Sequence, residues 1–173
     1  MCRIYRRFNG EPTAPITTWG AFAAVEGQLA AFVADRLQAA PAYLATVRAT
    51  GAPRVHPVTP IFTAEGLYPF MEPTSPKGAD LRERGWFGLH DGVRDNAGTG
   101  GEASMRGIGH PIEDAAVRAT VVAAASYDPA DRYVLFELQP TEVRCNGYGD
   151  ITLPECRTWR ADHEASARQL ETR

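Results

Sequence analysis

The feature that most constrains this chain is a run of short β-type segments that are separated by tight turns instead of helices. Strands joined by short turns pair in antiparallel order, so the pattern predicts a meander. A doubly wound parallel sheet is excluded, because it needs a helix between successive strands. The predicted strands are residues 43–48, 54–63 and 67–71, and the turns are Thr50-Gly51-Ala52-Pro53 and Ala64-Glu65-Gly66.

The second of these strands carries two prolines, Pro57 and Pro60. Proline cannot donate a hydrogen bond to a neighbouring strand, so it is found at sheet edges and bulges. We therefore expect the strand to lie at an edge or to be bulged. Where a strand gives up its own pairing, its backbone groups are free to contact a ligand.

The remaining segments complete a mainly β (α+β) fold. Seven or eight antiparallel strands with flanking helices predict a closed or split β-barrel. We expect an N-terminal arm over residues 1–17, one domain over 18–161 and a polar tail over 162–173. The predicted helices are 18–38, 76–84 and 113–126, and the further strands are 86–90, 102–109, 133–138, 142–148 and 156–160.

A glycine-rich loop over residues 91–101 is a candidate phosphate-binding loop that we set aside. Its Gly98-Thr99-Gly100-Gly101 lacks the Gly-Lys-Ser/Thr ending of such loops and opens no helix. We expect a long connection between two strands of a hairpin.

Composition excludes several classes of function. The net charge of −3 provides no basic excess for nucleic acid. No apolar run is long enough to span a membrane, and we expect a cytoplasmic protein. Three cysteines and four histidines are scattered without metal-site spacing, so we expect reduced thiols and no metal site.

Lys77 is the only lysine among 18 basic residues, the other 17 being arginines. Lysine supplies a compact charge with rotatable donors, where arginine supplies a planar fork. Ser75 and Pro76 before it form a good helix start, and the N-terminus of a helix attracts anions. The segment is a candidate phosphate site, and a solvated lysine at a helix start is the alternative.

Side chains arranged for nucleophilic catalysis are not evident. The chain has no Gly-x-Ser-x-Gly motif and no cysteine close in sequence to a histidine. A phosphate-like site without catalytic side chains indicates that a cofactor supplies the chemistry.

The order and spacing of these segments resemble the pyridoxamine 5'-phosphate oxidase-like family of flavin- or deazaflavin-binding split barrels. The resemblance spans roughly residues 20 to 160, through short motifs. These are Tyr43-Leu44-Ala45-Thr46-Val47, Gly51 to Val58, Gly66-Leu67-Tyr68, Ser75-Pro76-Lys77 with Leu81, Arg106-Gly107, the Glu113 helix with Arg118, and Leu135-Phe136-Glu137-Leu138.

The resemblance implies a site for the flavin phosphate. Members of the family bind that phosphate with an arginine at the start of the second strand and a lysine in a Ser-x-Lys segment. Here these residues match Arg54 and Lys77, with Ser75 and Thr74 as further hydroxyl donors. The backbone of Val55, His56, Pro57 and Val58 would line the isoalloxazine ring.

The resemblance further implies a homodimer with the cofactor at the interface. The C-terminal region of the partner subunit would close the site, and Trp159 and Arg157 occupy positions suited to that closure. For Trp159, an aromatic residue that caps the core is the alternative.

Departures from the family make pyridoxamine phosphate a doubtful substrate. The second strand lacks a further basic residue at Val58-Thr59-Pro60-Ile61, and the Arg–His motif of the vitamin B6 oxidases is a poor match at residues 153–157. His56 is a candidate for facing the flavin ring as a hydrogen-bond partner or acid, and a structural histidine is the alternative.

Three functions are consistent with these residues. The first is an FMN-dependent oxidoreductase that transfers hydride to or from an unidentified small molecule. The second keeps the fold with a deazaflavin, whose charged tail Arg82 and Arg84 would meet. The third is a flavin- or haem-binding module without turnover, with His56, His90 or His110 as the axial haem ligand.

Overall fold

The computed structural model describes residues 17–39, 41–150 and 155–161. Within those ranges it contains four helices and nine strands. Most of the predicted N-terminal arm and all of the predicted tail lie outside the described residues. In chain order the elements are α1 (Trp19–Val25), α2 (Gly27–Gln38), β1 (Ala42–Val47), β2 (Pro53–Val58), β3 (Ile61–Phe62), β4 (Leu67–Tyr68), β5 (Phe70–Met71), α3 (Pro76–Arg84), β6 (Trp86–His90), β7 (Glu102–Ile112), α4 (Ala115–Ala124), β8 (Val134–Asn146) and β9 (Arg157–Arg160).

Seven strands form one antiparallel sheet in the order β2-β1-β6-β7-β8-β5, and β9 also pairs with β8. β3 and β4 form a separate two-stranded ribbon. The sheet does not close on itself, which confirms the split barrel with flanking helices. β2 has only β1 as a neighbour in this order, so the predicted edge position of the proline-bearing strand is also confirmed.

The longest pairing joins β7 to β8 and contains a bulge. The register shifts between Arg106 and Gly107, opposite Pro140, which has no N–H to give to the ladder. A side chain at position 107 would overlap the carbonyl oxygen of Gln139, so only glycine fits there. The prediction of two strands at 133–138 and 142–148 was wrong, because β8 continues through Pro140.

Two other predicted strands are each interrupted. The segment 54–63 was predicted as one strand, but Thr59-Pro60 separates β2 from β3. The segment 67–71 was predicted as one strand, but Pro69 separates β4 from β5. In both cases a proline without a donor ends the pairing. The chain then leaves the main sheet to form the β3–β4 ribbon and returns to it in β5.

The helices agree with the sequence at α3 and depart from it elsewhere. Helix 76–84 is confirmed without change. The single helix predicted over 18–38 is wrong, because Glu26 has φ −123° and ψ 45° and separates α1 from α2. Gly27 follows it, a residue of weak helix propensity. α4 is shorter than predicted, because the Asp114 side chain accepts from Ala116 and Val117 and starts the helix there.

The main core lies between the helices and the inner face of the sheet. α1 and α2 contribute Phe22, Leu29 and Val33, which pack against buried residues of β1, β6, β7 and β8. A smaller cluster joins α4 to the β3–β4 ribbon through Val121 and Ile61. No helix within the described residues is long and apolar enough to cross a membrane.

The loop over residues 91–101 connects β6 to β7, which are adjacent antiparallel strands. This confirms the predicted hairpin connection. At its start, Asp91 forms a buried ion pair with Arg36 of α2 and accepts a 2.9 Å hydrogen bond from the Ala103 amide. The loop is thereby attached to the core helix at its base.

The outer face of the sheet is apolar near the β2 edge. Tyr43, Val55 and Trp86 are 51%, 59% and 36% exposed. Register places Ala45 opposite Val55 on one side and opposite Gly88 on the other, so this apolar area is continuous across three strands. We call Tyr43, Ala45, Val55, Trp86 and Gly88 the outer apolar face.

Candidate functional site

The N-terminus of α3 is built by its own sequence. The Ser75 hydroxyl accepts a 3.1 Å hydrogen bond from the Gly78 amide, and Pro76 occupies the first helical position. Among the described residues, no acceptor binds the Lys77 amide of that first turn. The helix therefore presents a free N–H and the positive end of its dipole in the vicinity of the lysine.

Lys77 is half-buried at this helix start. Burial lowers the pKa of its ammonium group from the ordinary value of 10.5. Within residues 17–39, 41–150 and 155–161, no carboxylate forms an ion pair with it, although many of the arginines there do have such partners. A half-buried cation without a counterion is suited to binding an anionic ligand.

Arg54 reaches α3 from the sheet. Its Nε donates to Oδ2 of Asp80 at 2.7 Å, and the same oxygen accepts from the Thr46 hydroxyl at 2.8 Å. Thr46 lies directly opposite Arg54 in the β1–β2 register. Asp80 and Thr46 are buried, and the Arg54 side chain is 20% exposed. This cluster fixes the helix to both strands.

The charges of the cluster are set by its hydrogen bonds. Burial alone would raise the pKa of Asp80, but the hydrogen bonds from Arg54 and Thr46, with the charges of Arg54 and Arg84, lower it below its ordinary value of 3.8. Asp80 is therefore ionised at neutral pH. Together with Arg54 and Lys77, it leaves a single net positive charge at this end of the helix.

Helical spacing connects the two predicted phosphate ligands. Lys77 and Asp80 are three residues apart, so they lie on the same face of α3, about one turn from each other. Because Asp80 holds the Arg54 guanidinium, that group also lies near this face. Both cations are thus associated with α3, Lys77 in its first turn and Arg54 through Asp80.

Gly78 keeps the helix start compact. A Cβ atom there would lie 3.3 Å from the Ser75 hydroxyl oxygen and 3.5 Å from the Phe136 ring. The first turn of α3 can thus pack closely on β8 while the Ser75 cap is kept. Thr74, the other predicted hydroxyl donor, is exposed just before this turn.

The predicted ring-binding segment occupies β2. Arg54 and His56 alternate with Val55 and Pro57, so the polar pair and the exposed apolar pair face opposite sides of the strand. Val58 is buried at the end of the strand. Since β2 is an edge strand, backbone groups on its outer side have no ladder partner within the described residues.

The histidines differ in their surroundings. His90 contacts the carbonyl oxygen of Asp91, and its Nε2 lies 3.6 Å from Glu102. His110 lies 3.3 Å from Glu137, its partner across the β7–β8 ladder. For half-buried His56, the described part of the chain provides no hydrogen-bonding partner. Nor does that part hold a cluster of three or more metal-ligating side chains.

Trp159 and Arg157 lie on β9, which pairs with β8. The Trp159 ring packs on Phe22, with centroids 4.8 Å apart, against the main core. Arg157 forms a 2.6 Å ion pair with Glu26, between the two N-terminal helices. Within one subunit, both residues attach β9 to the helices. Their predicted role in closing a partner's site stays a prediction.

Arg82 and Arg84 both have intramolecular contacts. Arg82 lies over the Phe136 ring at 5.3 Å, and Arg84 donates to Glu83 at 2.7 Å. Of the two arginines that would meet a charged deazaflavin tail, Arg84 is therefore paired with a carboxylate, while Arg82 is exposed and keeps its charge.

Sequence reasoning missed Asp80 and Thr46. The i, i+3 spacing from Lys77 was a visible signal that Asp80 would share its face, but nothing local indicated that the carboxylate would bind Arg54, 26 residues earlier. Thr46 gave no signal at all, because an alternating strand threonine is compatible with either face.

Comparison with known proteins identifies the fold. No protein-family model matches this chain, and no curated protein is significantly similar to it in sequence. Solved structures are similar, and 79 chains match significantly. A haem-binding protein from Mycobacterium smegmatis has a TM-score of 0.61 and 18% identity, over 82% of this chain and 59% of its own length. This chain thus spans less than two thirds of that protein.

Two further solved structures are covered over more than nine-tenths of their own length. A protein from Listeria innocua, named for pyridoxamine 5'-phosphate oxidase, has a TM-score of 0.57 and 14% identity, over 71% of this chain and 98% of its own. A NimC/NimA family protein from Clostridium acetobutylicum has a TM-score of 0.57 and 15% identity, over 78% of this chain and 93% of its own. The shared feature is the split barrel, which is the fold expected from the resemblance.

Proposed function

We propose that this chain, which has the fold of the pyridoxamine 5'-phosphate oxidase-like split barrels, is an FMN-dependent oxidoreductase that acts on a small molecule by hydride transfer. The observation that supports it best is the association of two cations with one helix. Lys77 lies in the first turn of α3 without a counterion among the described residues, and Arg54 is bound to the same helix through Asp80.

The donors present fit a phosphate monoester. Four N–H groups of Arg54 remain after its Nε is used, and the Lys77 ammonium, its amide and the Ser75 and Thr74 hydroxyls add further donors. Charge-assisted hydrogen bonds are each worth about 1.5–3 kcal/mol. Two such contacts are enough to discriminate FMN from riboflavin, which has no phosphate.

The edge of β2 fits a flat ring system. Backbone groups of Val55, His56, Pro57 and Val58 are the proposed contacts, since this strand has only one neighbour in the sheet. The bound flavin would supply hydride transfer. The chain would hold it by its phosphate and exclude water from one face of the ring, with His56 as the candidate hydrogen-bond partner or acid.

The second subunit of a homodimer is proposed to cover the outer apolar face. Val55 at 59% and Tyr43 at 51% exposure are unusual for residues in a central apolar area. The same strand would then present Arg54 and His56 to one side and the dimer contact to the other, so a flavin ring along the open edge of β2 would lie beside the interface. Sedimentation velocity of the chain and of Val55→Glu tests this, and a monomeric wild type would contradict it.

FMN is preferred to a deazaflavin because Glu83 pairs with Arg84, one of the two arginines that would meet the deazaflavin tail. Titration of both cofactors, followed by flavin or deazaflavin fluorescence, compares them directly. Tighter binding of the deazaflavin would reverse the preference.

Haem binding is a second candidate, in a module without turnover. It is supported by His56, which has no partner among the described residues, and by solved structures of similar fold that are named as haem-binding or haem-storage proteins. A Soret band that forms on haem addition and is lost in His56→Ala, but not in His110→Ala, would favour it.

The deciding experiment is the absorption spectrum of the purified protein, followed by titration with FMN and with riboflavin. We expect a yellow chromophore or FMN uptake, and weaker binding of riboflavin. Lys77→Ala should lower the affinity for FMN at least tenfold, with little change in the melting temperature of the cofactor-free protein. Absence of FMN binding, or equal affinity for riboflavin, would refute the proposal.

A further inference from the structure

A buried carboxylate lies beside the proposed phosphate site. One oxygen of Asp80, Oδ2, accepts from both Arg54 at 2.7 Å and Thr46 at 2.8 Å. Asp80 is 7% exposed and Thr46 is 2% exposed. A negative charge close to a phosphate would ordinarily oppose its binding, so the presence of this carboxylate requires a physical reason.

The hydrogen-bond geometry gives that reason. Asp80 engages only the Nε of Arg54, which leaves both terminal nitrogens of the guanidinium unpaired within the described residues. A long arginine side chain loses rotamer entropy when it binds a ligand. Binding it first through Nε removes part of that cost in advance and leaves the N–H groups of both terminal nitrogens available to a ligand.

We propose that Asp80 is a positioning residue that holds Arg54 in place for the phosphate of the ligand. This inference rests on the proposed function, and it adds a named residue that acts on the ligand only through Arg54. Thr46 serves the carboxylate by fixing its orientation from the opposing strand.

The opposite interpretation predicts a change of opposite sign. If Asp80 only neutralises Arg54, then removing its charge frees the guanidinium and strengthens phosphate binding. If Asp80 positions Arg54, removing its charge releases the side chain and weakens phosphate binding. The ratio of FMN affinity to riboflavin affinity distinguishes the two interpretations, because a general loss of folding would lower the affinity for both ligands alike.

The experiment measures dissociation constants of FMN and riboflavin for the full chain and for Asp80→Asn. We expect the FMN-to-riboflavin affinity ratio to fall about tenfold in Asp80→Asn, with riboflavin affinity retained. An unchanged or increased ratio overturns the inference. Glu83→Gln is the matched control, because it removes another carboxylate of α3 that pairs with Arg84 and not with Arg54, and its ratio should stay within about twofold of the wild type.

A second variant covers the case in which Asp80→Asn does not fold. Asp80→Glu keeps the charge but moves it by one methylene. If Asp80 positions Arg54, the FMN-to-riboflavin affinity ratio should fall in this variant. If Asp80 only neutralises Arg54, the ratio should not change. Failure of the wild type to bind FMN would refute the proposed function and this inference together. Wild-type FMN binding with an unchanged ratio in both variants would refute the inference alone.

Discussion

The Nε of Arg36 donates to Oδ2 of Asp91 at 2.6 Å, and both side chains are almost completely buried, at 3% and 2% exposure. Arg36 also donates to the Gly92 carbonyl at 3.2 Å, and Asp91 accepts from the Ala103 amide. The pair therefore connects helix α2 to both ends of the 91–101 loop. A buried pair of this kind costs most when one partner is removed, because the other charge is left unpaired.

We expect Arg36→Met to lower the free energy of unfolding by about 3–5 kcal/mol. Urea unfolding followed by circular dichroism measures the change. The control is Arg84→Gln, whose exposed ion pair with Glu83 should contribute less than about 1 kcal/mol. Equal losses in the two variants would contradict a special role for the buried pair.

Binding of a phosphate at Lys77 should weaken at alkaline pH. Burial lowers the pKa of the Lys77 ammonium from 10.5, so it loses its proton at a lower pH than an ordinary lysine. The affinity for FMN should be full at neutral pH and fall as pH rises through this lowered pKa, by up to about tenfold per pH unit. The second ionisation of the phosphate, near pH 6, lies below this range.

Lys77→Arg is the variant that isolates the effect. Its guanidinium stays protonated, so its FMN affinity should be independent of pH between about 7 and 10, even if it is weaker overall. The measurement is a fluorescence titration at several pH values. A wild-type profile as flat as that of the variant would exclude Lys77 as the phosphate ligand.

Gly107→Ala should destabilise the β7–β8 bulge by about 1–3 kcal/mol, because the new methyl group overlaps the Gln139 carbonyl oxygen. Gly88→Ala, on the adjacent strand β6, is the control. Its Cβ would have only the Ala45 methyl within contact distance, at 3.7 Å, so the change should be near neutral. Thermal unfolding of both variants makes the comparison, and similar losses would argue against the bulge as the cause.

Replacing Trp159 by alanine should lower the free energy of unfolding by about 2 kcal/mol, since its ring packs on Phe22 against the core. If Trp159 instead closes the cofactor site of a partner, the loss should appear in FMN affinity with little change in stability. Urea unfolding of the cofactor-free protein and FMN titration separate the two roles. Trp159→Phe, which keeps an aromatic ring, should retain most of the stability.

Local signals account for the parts of the fold that the sequence predicts well. Ser75 and Pro76 start α3, and Gly85 ends it with φ +72°, so all three signals lie within the element itself. The same holds for β6, whose limits at Trp86 and His90 were predicted correctly. Signals that depend on partners are weaker: Pro140 indicated an interruption, yet β8 passes through it, with the register shift at Thr141 next to the proline.

The candidate site was predictable only in part, for a similar reason. Lys77 could be selected from its rarity and its helix start, and Arg54 from the resemblance. Their connection through Asp80 depends on where α3 packs against β1 and β2, which is a property of the folded chain. The contact of Trp159 with Phe22 joins residues more than 130 positions apart and has no counterpart in local pattern.

The half-buried Lys77 carries the single side-chain amine of the sequence. Acylating or reductively alkylating reagents therefore have one internal target, next to the proposed anion site. Its rate of modification can be followed by mass spectrometry on the unaltered protein. Protection by a bound anion would show occupancy of this helix start directly, without any chromophore or assay of turnover.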